Sequence, residues 1–198
     1  MRLILFSIAV LICITGIATG IPTLVQAADT DKISVKTDKA VLLDEMFAEL
    51  RRAKNEKLAA DVADRIKDEW NRSGSATVDL LMQWASEAIG KKDYPTALDF
   101  LDQVTVLKPE FAEGWNRRAT AHFLAGNYAK SMTDIERTLE LEPRHFGALS
   151  GMGMIFMDLD KKALALAALR KALDVYPQLR DVQKQVGELE EQLAGSRI

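Results

Sequence analysis

His122 and His145 are the only imidazoles in the sequence, and Cys13 is its only thiol. A catalytic imidazole needs a nucleophile or a carboxylate within hydrogen-bond reach. The residues around neither histidine dictate one. His145 follows Pro143 and Arg144 in a corner with no acid placed beside it by sequence, and His122 falls on the packing side of a helical stretch, where it reads as a structural residue. Gly147, Gly151 and Gly153 are spaced like a loose phosphate-binding glycine motif. Such glycines cradle a phosphate where a strand feeds a helix, and no strand-like run precedes them. No His-x-x-Glu-His or Gly-x-Ser-x-Gly motif occurs, and no His, Cys, Asp or Glu cluster has metal-ligand spacing. The sequence therefore implies no catalytic residue, no metal and no cofactor. The charged runs Arg51-Arg52, Lys91-Lys92, Lys161-Lys162 and Glu188, Glu190, Glu191 read as solvated faces or turns.

The elements behind those residues set the terms. Over 198 residues, 48% are hydrophobic and 28% charged, the balance of a chain that buries a core. A net charge of −3 supplies no basic footprint for nucleic acid. The one compositional break lies at the front, where Leu3 to Ile21 carry no charge after Met1-Arg2. Pro22 ends that run, and Val25-Gln26-Ala27 places small residues before a cut site. The pattern is that of a secretory signal at residues 1–27, cleaved after Ala27, which sends the mature chain to the periplasm or outside the cell. The competing reading is an uncleaved anchor that tethers the chain to a membrane facing the periplasm, the only circumstance in which a membrane is a partner. With cleavage, Cys13 is removed and no thiol remains. Residues 28–40 are polar and aperiodic and read as a flexible leader.

From there on, apolar residues recur at three- and four-residue steps, as in Leu43, Met46, Phe47, Leu50 and in Leu58, Val62, Ile66, Trp70. No alternating strand-length run appears, which predicts an all-α chain. Pro109, Pro143 and Pro177 stand thirty-four residues apart, each two after an apolar residue. The same step aligns residues 78–111, 112–145 and 146–179 without a gap. In the middle unit the recurring places hold Trp115, Arg118-Ala119, His122, Ser131, Ile135 and Pro143. The third has Leu149, Met152-Gly153, Phe156, Ala165, Leu169 and Pro177, and the first has Leu81, Trp84-Ala85, Ala88, Ala97, Leu101 and Pro109. Small residues at Ala85, Ala119 and Gly153, facing Ala97 and Ala165, let two helices approach closely. The proline turns the chain into the next unit.

This pattern resembles the tetratricopeptide repeat (TPR), with Arg118, His122 and Ser131 departing from the preferred residue types. The resemblance implies a right-handed helical-hairpin solenoid that binds proteins or peptides. Residues 41–77 form a further helical pair, a degenerate repeat or an N-terminal cap. Residues 180–198 form a capping helix, its stripe of Leu179, Val182, Val186, Leu189 and Leu193 turned to the last repeat.

In TPR-like stacking the first helix of each pair lines the concave surface. The resemblance then points to a groove of Met82, Ser86, Ile89, Asn116, Arg117, Thr120, Phe123, Met154 and Met157, with the column Ile89, Phe123, Met157 wholly apolar. The competing reading of that column is a surface covered by the N-terminal pair or by neighbouring helices. Some TPR proteins grip a terminal carboxylate with lysine, arginine and asparagine. Here Asn116 and Arg117 supply part of that set, while Met82, Gly147 and Gly151 stand where further polar contacts belong. The expected function is an exported adaptor that holds a protein or peptide, with a membrane-tethered assembly factor as the alternative.

Overall fold

A computed structural model describes residues 24–195. The chain divides into two units between Lys39 and Ala40. Nine helices and no strand occur among the described residues: α1 (Leu24–Arg52), α2 (Glu56–Asn71), α3 (Ala76–Gly90), α4 (Tyr94–Leu107), α5 (Ala112–Leu124), α6 (Tyr128–Leu141), α7 (Phe146–Asp158), α8 (Lys162–Val175) and α9 (Arg180–Gly195). The signal-like run up to Pro22 lies outside the described residues. Among those described, no helix is long and apolar enough to cross a membrane. Residues 28–40, expected to be an aperiodic leader, lie within α1 instead. The physical reason is the lack of a breaker, since neither proline nor glycine occurs between Pro22 and Gly74.

The three repeats are the hairpins α3–α4, α5–α6 and α7–α8, each helix packing most closely on its neighbours in sequence. Helix starts are capped where the sequence supplies an acceptor: Asn55 for α2, Ser75 for α3, and Asp93 ahead of Pro95 for α4. Each hairpin turns through a left-handed residue at the same repeat position, Lys92, Gly126 and Asp160, so only the middle turn uses glycine for it. The small residues Ala85, Ala97, Ala119, Ser131 and Ala165 are buried at the helix crossings. A Cβ on Gly153 would lie 2.5 Å from Leu169 Cδ2, so this glycine sets the α7–α8 spacing. Helix α9 closes the stack, with Val182, Val186 and Leu189 buried against Leu149, Ala165, Leu169 and Ala172.

The three departures of the middle repeat form one matched set. The Arg118 guanidinium donates to both oxygens of buried Asp134 at 2.8 and 2.7 Å, and reaches Asp102 and Thr105 of the preceding repeat. His122 lies 4.0 Å from Asp134, and the Ser131 hydroxyl donates to the Ala119 carbonyl at 2.8 Å. An ion pair thus occupies the site where the other repeats pack apolar side chains. Trp115, which the repeat signature assigns to the core, is only half-buried: its Nε1 donates to the Pro109 carbonyl, and Arg118 stacks on its ring at 4.7 Å.

The helical pair before the repeats does not continue the stack. Leu43, Met46, Phe47 and Leu50 of α1 join Ala59, Val62, Ala63, Ile66 and Trp70 of α2, and the cluster is completed by Phe146 and Tyr176 of the third repeat. Arg144 pairs with Asp44 at 2.5 Å, and Arg180 with Glu56 at 3.1 Å, across about a hundred residues of chain. The hairpin has folded back onto the third repeat, over the start of α7 and the end of α8.

Candidate binding surface

The inner face is lined by the first helices of the repeats, α3, α5 and α7. Its polar centre is Glu113, in the first turn of α5 and buried. One carboxylate oxygen of Glu113 accepts from Arg117 at 2.8 Å. The other accepts from Asn116 at 3.0 Å and lies 3.1 Å from His145 Nε2. His145 Nδ1 accepts the Ala148 amide at 3.1 Å and so caps α7. An Nδ1 that accepts must be unprotonated, so the neutral ring carries its proton on Nε2 and donates to Glu113. Burial pushes the Glu113 carboxyl up, but the hydrogen bonds from His145 and Arg117 and the positive charge of Arg117 outweigh it and hold the carboxyl below its ordinary value. The sequence reading placed no carboxylate beside His145. The fold brings one from thirty-two residues away, because equivalent first helices lie side by side in the stack. No nucleophile joins the pair.

Trp70 covers this cluster from the hairpin, its ring stacked on His145 with centroids 4.1 Å apart and planes 10° apart. Beside it, a cleft of about 240 Å³ is lined by Asn71, Asp79, Met82, Gln83, Ser86 and Arg117. Arg117 spans it, donating to Ser86 Oγ at 3.1 Å and to Asn71 Oδ1 at 3.4 Å. Three of the expected groove residues, Met82, Ser86 and Arg117, therefore meet in one cleft, although Met82 is largely buried in the first-repeat core. Asn116 turns its amide to Glu113, and the Thr120 hydroxyl donates to the Asn116 carbonyl at 3.0 Å. The column Ile89, Phe123, Met157 is more embedded than a free groove requires. Each packs partly against a repeat core, and Phe123 also stacks on Tyr128 at 5.7 Å. Met154 stands out from α7, 38% exposed, and Leu124 from the end of α5, 43% exposed.

The inner face thus has two halves. The first turns of α5 and α7 hold Glu113, Arg117, His145 and Phe146 under the hairpin. The C-terminal halves carry exposed Thr120, Leu124 and Met154 and half-buried Phe123 and Met157. Trp70, Asn71 and Asp79 were missed as site residues. Asp79 occupies the repeat position equivalent to Glu113, a signal that could have found it, but nothing in the sequence announces where the hairpin lands. Among the described residues, no three His, Cys, Asp or Glu side chains group as a metal site.

Comparison with known proteins gives two matches to models of the tetratricopeptide repeat, at residues 112–145 and 147–179. A TPR repeat-containing protein of Rhizobium etli is 54% identical over 155 residues, which make up 78% of this chain and 76% of the relative. The Sgt2 TPR domain from Aspergillus fumigatus superposes with a TM-score of 0.58 at 19% identity, covering 62% of this chain and 83% of that one. The first TPR of Spaghetti (RPAP3), bound to the HSP90 peptide SRMEEVD, gives 0.58 at 19% identity, covering 61% and 95%. These two structures share the fold.

Proposed function

Because the chain belongs to the TPR repeat-containing proteins, we propose that it is a non-catalytic adaptor whose open half of the inner face holds a segment of another protein. The observation that carries this reading is the exposure of the large apolar side chains Leu124 on α5 and Met154 on α7, two first helices whose Phe123 and Met157 are half-buried. Methionine adapts its shape to an apolar ligand, and apolar anchors in a concave site dominate binding energy. The ligand differs in kind from the acidic peptide held by the Spaghetti domain. At this chain's inner face, Gly147, Gly151 and Met82 offer no cation, and Arg117 is committed to Glu113, Ser86 and Asn71. An apolar segment, extended or helical, fits better than an acidic chain end.

The test is affinity capture with the wild-type chain and with Met154→Asp plus Leu124→Asp, followed by binding measurements on the captured protein. The exposed positions predict an unchanged fold by circular dichroism and roughly a tenfold or greater loss of affinity. Retained affinity in a folded double variant removes the inner face from consideration.

We also propose export, which rests on the sequence of residues 1–27 alone. N-terminal sequencing of the protein from its native cell should begin at Ala28. Intact Met1 in the membrane fraction supports the tethered assembly factor instead.

A further inference from the structure

The hairpin, residues 40–71 of α1 and α2, meets the stack as a bound ligand would. Its last turn reaches the first helix of every repeat. Asn71 shares a cleft with Met82 and Ser86 of α3 and accepts from Arg117 of α5, while Trp70 lies against His145 and Phe146 at the start of α7. The two surfaces are complementary in charge as well as in shape. Arg144, which also pairs with Glu142, reaches Asp44 at 2.5 Å and lies over the Phe47 ring at 4.3 Å. Arg180 reaches Glu56 at 3.1 Å. The stack thus offers two cations beside the rings of His145, Phe146 and Tyr176, and the hairpin answers with two acids beside Phe47 and Trp70.

Three observations make this occupant replaceable. Among the described residues, only Phe146 and Tyr176 of the buried apolar cluster come from the stack, so the hairpin packs chiefly on itself. Both ion pairs lie at the surface, with the Asp44 side chain 70% and that of Glu56 57% exposed, and such pairs hold weakly and are screened by salt. The Trp70 indole Nε1 is buried without a hydrogen-bond partner among the described residues, so docking leaves a donor unmet. A segment held in this way opens locally before the whole molecule unfolds.

We propose that the face under the hairpin is a second protein-binding site, closed by the chain's own α1 and α2 and taken in competition with them by an amphipathic helix of a partner. That helix carries an aromatic side chain with acidic residues beside it. It reproduces what the hairpin supplies: a ring for His145 and Phe146, carboxylates for Arg144 and Arg180, and an acceptor for Arg117. Hairpin and partner exclude one another, so the apparent affinity falls with the fraction of chains whose hairpin is closed. The site is separate from the open half of the inner face and does not depend on what that half binds.

Fluorescence anisotropy of a labelled synthetic peptide of residues 40–72, titrated with the full chain, tests it. Wild type should bind the peptide weakly, and Trp70→Ala, whose own hairpin competes less well, at least tenfold more tightly. Adding Arg144→Glu and Arg180→Glu to Trp70→Ala should abolish uptake, and a peptide carrying Asp44→Lys and Glu56→Lys should restore it. Should Trp70→Ala fail to fold, a chain with Asp44→Lys and Glu56→Lys opens the hairpin through exposed positions alone. There the arginine reversals re-form the pairs within the chain and should again exclude the unmodified peptide. Opened chains that take up the peptide no better than wild type overturn the proposal, as does uptake indifferent to the arginine reversals.

Discussion

Replacing Trp70 by alanine is expected to destabilise the protein by about 3–5 kcal/mol, the range for removing a large buried aromatic. Its ring is 6% exposed and touches Phe47, His145 and Phe146 at centroid distances of 5.9, 4.1 and 5.0 Å, so it joins both helices of the hairpin to the start of α7. The loss should be local before it is global, with hydrogen-exchange protection falling in α2 and the described end of α1 ahead of the repeats. Urea melts of Trp70→Ala and Trp70→Phe separate packing from polar contributions. The indole Nε1 is buried without a hydrogen-bond partner among the described residues, so phenylalanine forfeits volume but no bond and should recover most of the loss. Equal destabilisation by the two variants would contradict this account of the hairpin's docking.

Glu113→Ala should cost a comparable amount, on the order of 3–5 kcal/mol, because it strands the partners of a buried charge. The His145 Nε2 proton, one Arg117 nitrogen and the Asn116 amide all lose their acceptor together. The effect carries a pH signature. The Glu113 carboxyl in the folded chain sits below its ordinary value of 4.5. Its contribution is therefore complete above that value and is lost as the pH falls through the lower folded value, where the native carboxylate takes up its proton. Glu113→Gln removes the titration while keeping the shape. The stability gap between wild type and Glu113→Gln, measured by denaturant melts, should be constant near neutral pH and shrink below about 4.5. A gap that widens with acid would show that the carboxyl does not titrate as its partners dictate.

These two residues mark where sequence reading stopped. Leu81, Leu101, Ile135 and Leu169, with the small residues opposite them, announce the repeats because local spacing and a thirty-four-residue period are written along the chain itself. The same periodicity identified α9 from its stripe. Arg118, His122 and Ser131 looked like blemishes on the pattern, since the carboxylate that answers Arg118 comes from Asp134 on the next helix and from Asp102 on the previous one. Of the expected groove, Met82, Ser86 and Arg117 line one cleft between α3 and α5. Phe123 and Met157 are shared with the repeat cores, because a half-turn of helix rotation decides whether an apolar side chain faces ligand or neighbour.

By itself, then, the sequence determined the helices from Leu43 onward, the three repeats and the C-terminal cap, since each depends on contacts within a turn of helix or with the next unit along the chain. Only the tertiary structure decided that α1 and α2 fold back onto Phe146 and Tyr176, that Glu113 meets His145 under Trp70, and that Leu80 and Trp84 are left uncovered. Those outcomes depend on a hairpin outside the repeat register choosing a surface about a hundred residues away. No period encodes that choice; it is set by the free energy of burying one apolar face rather than another.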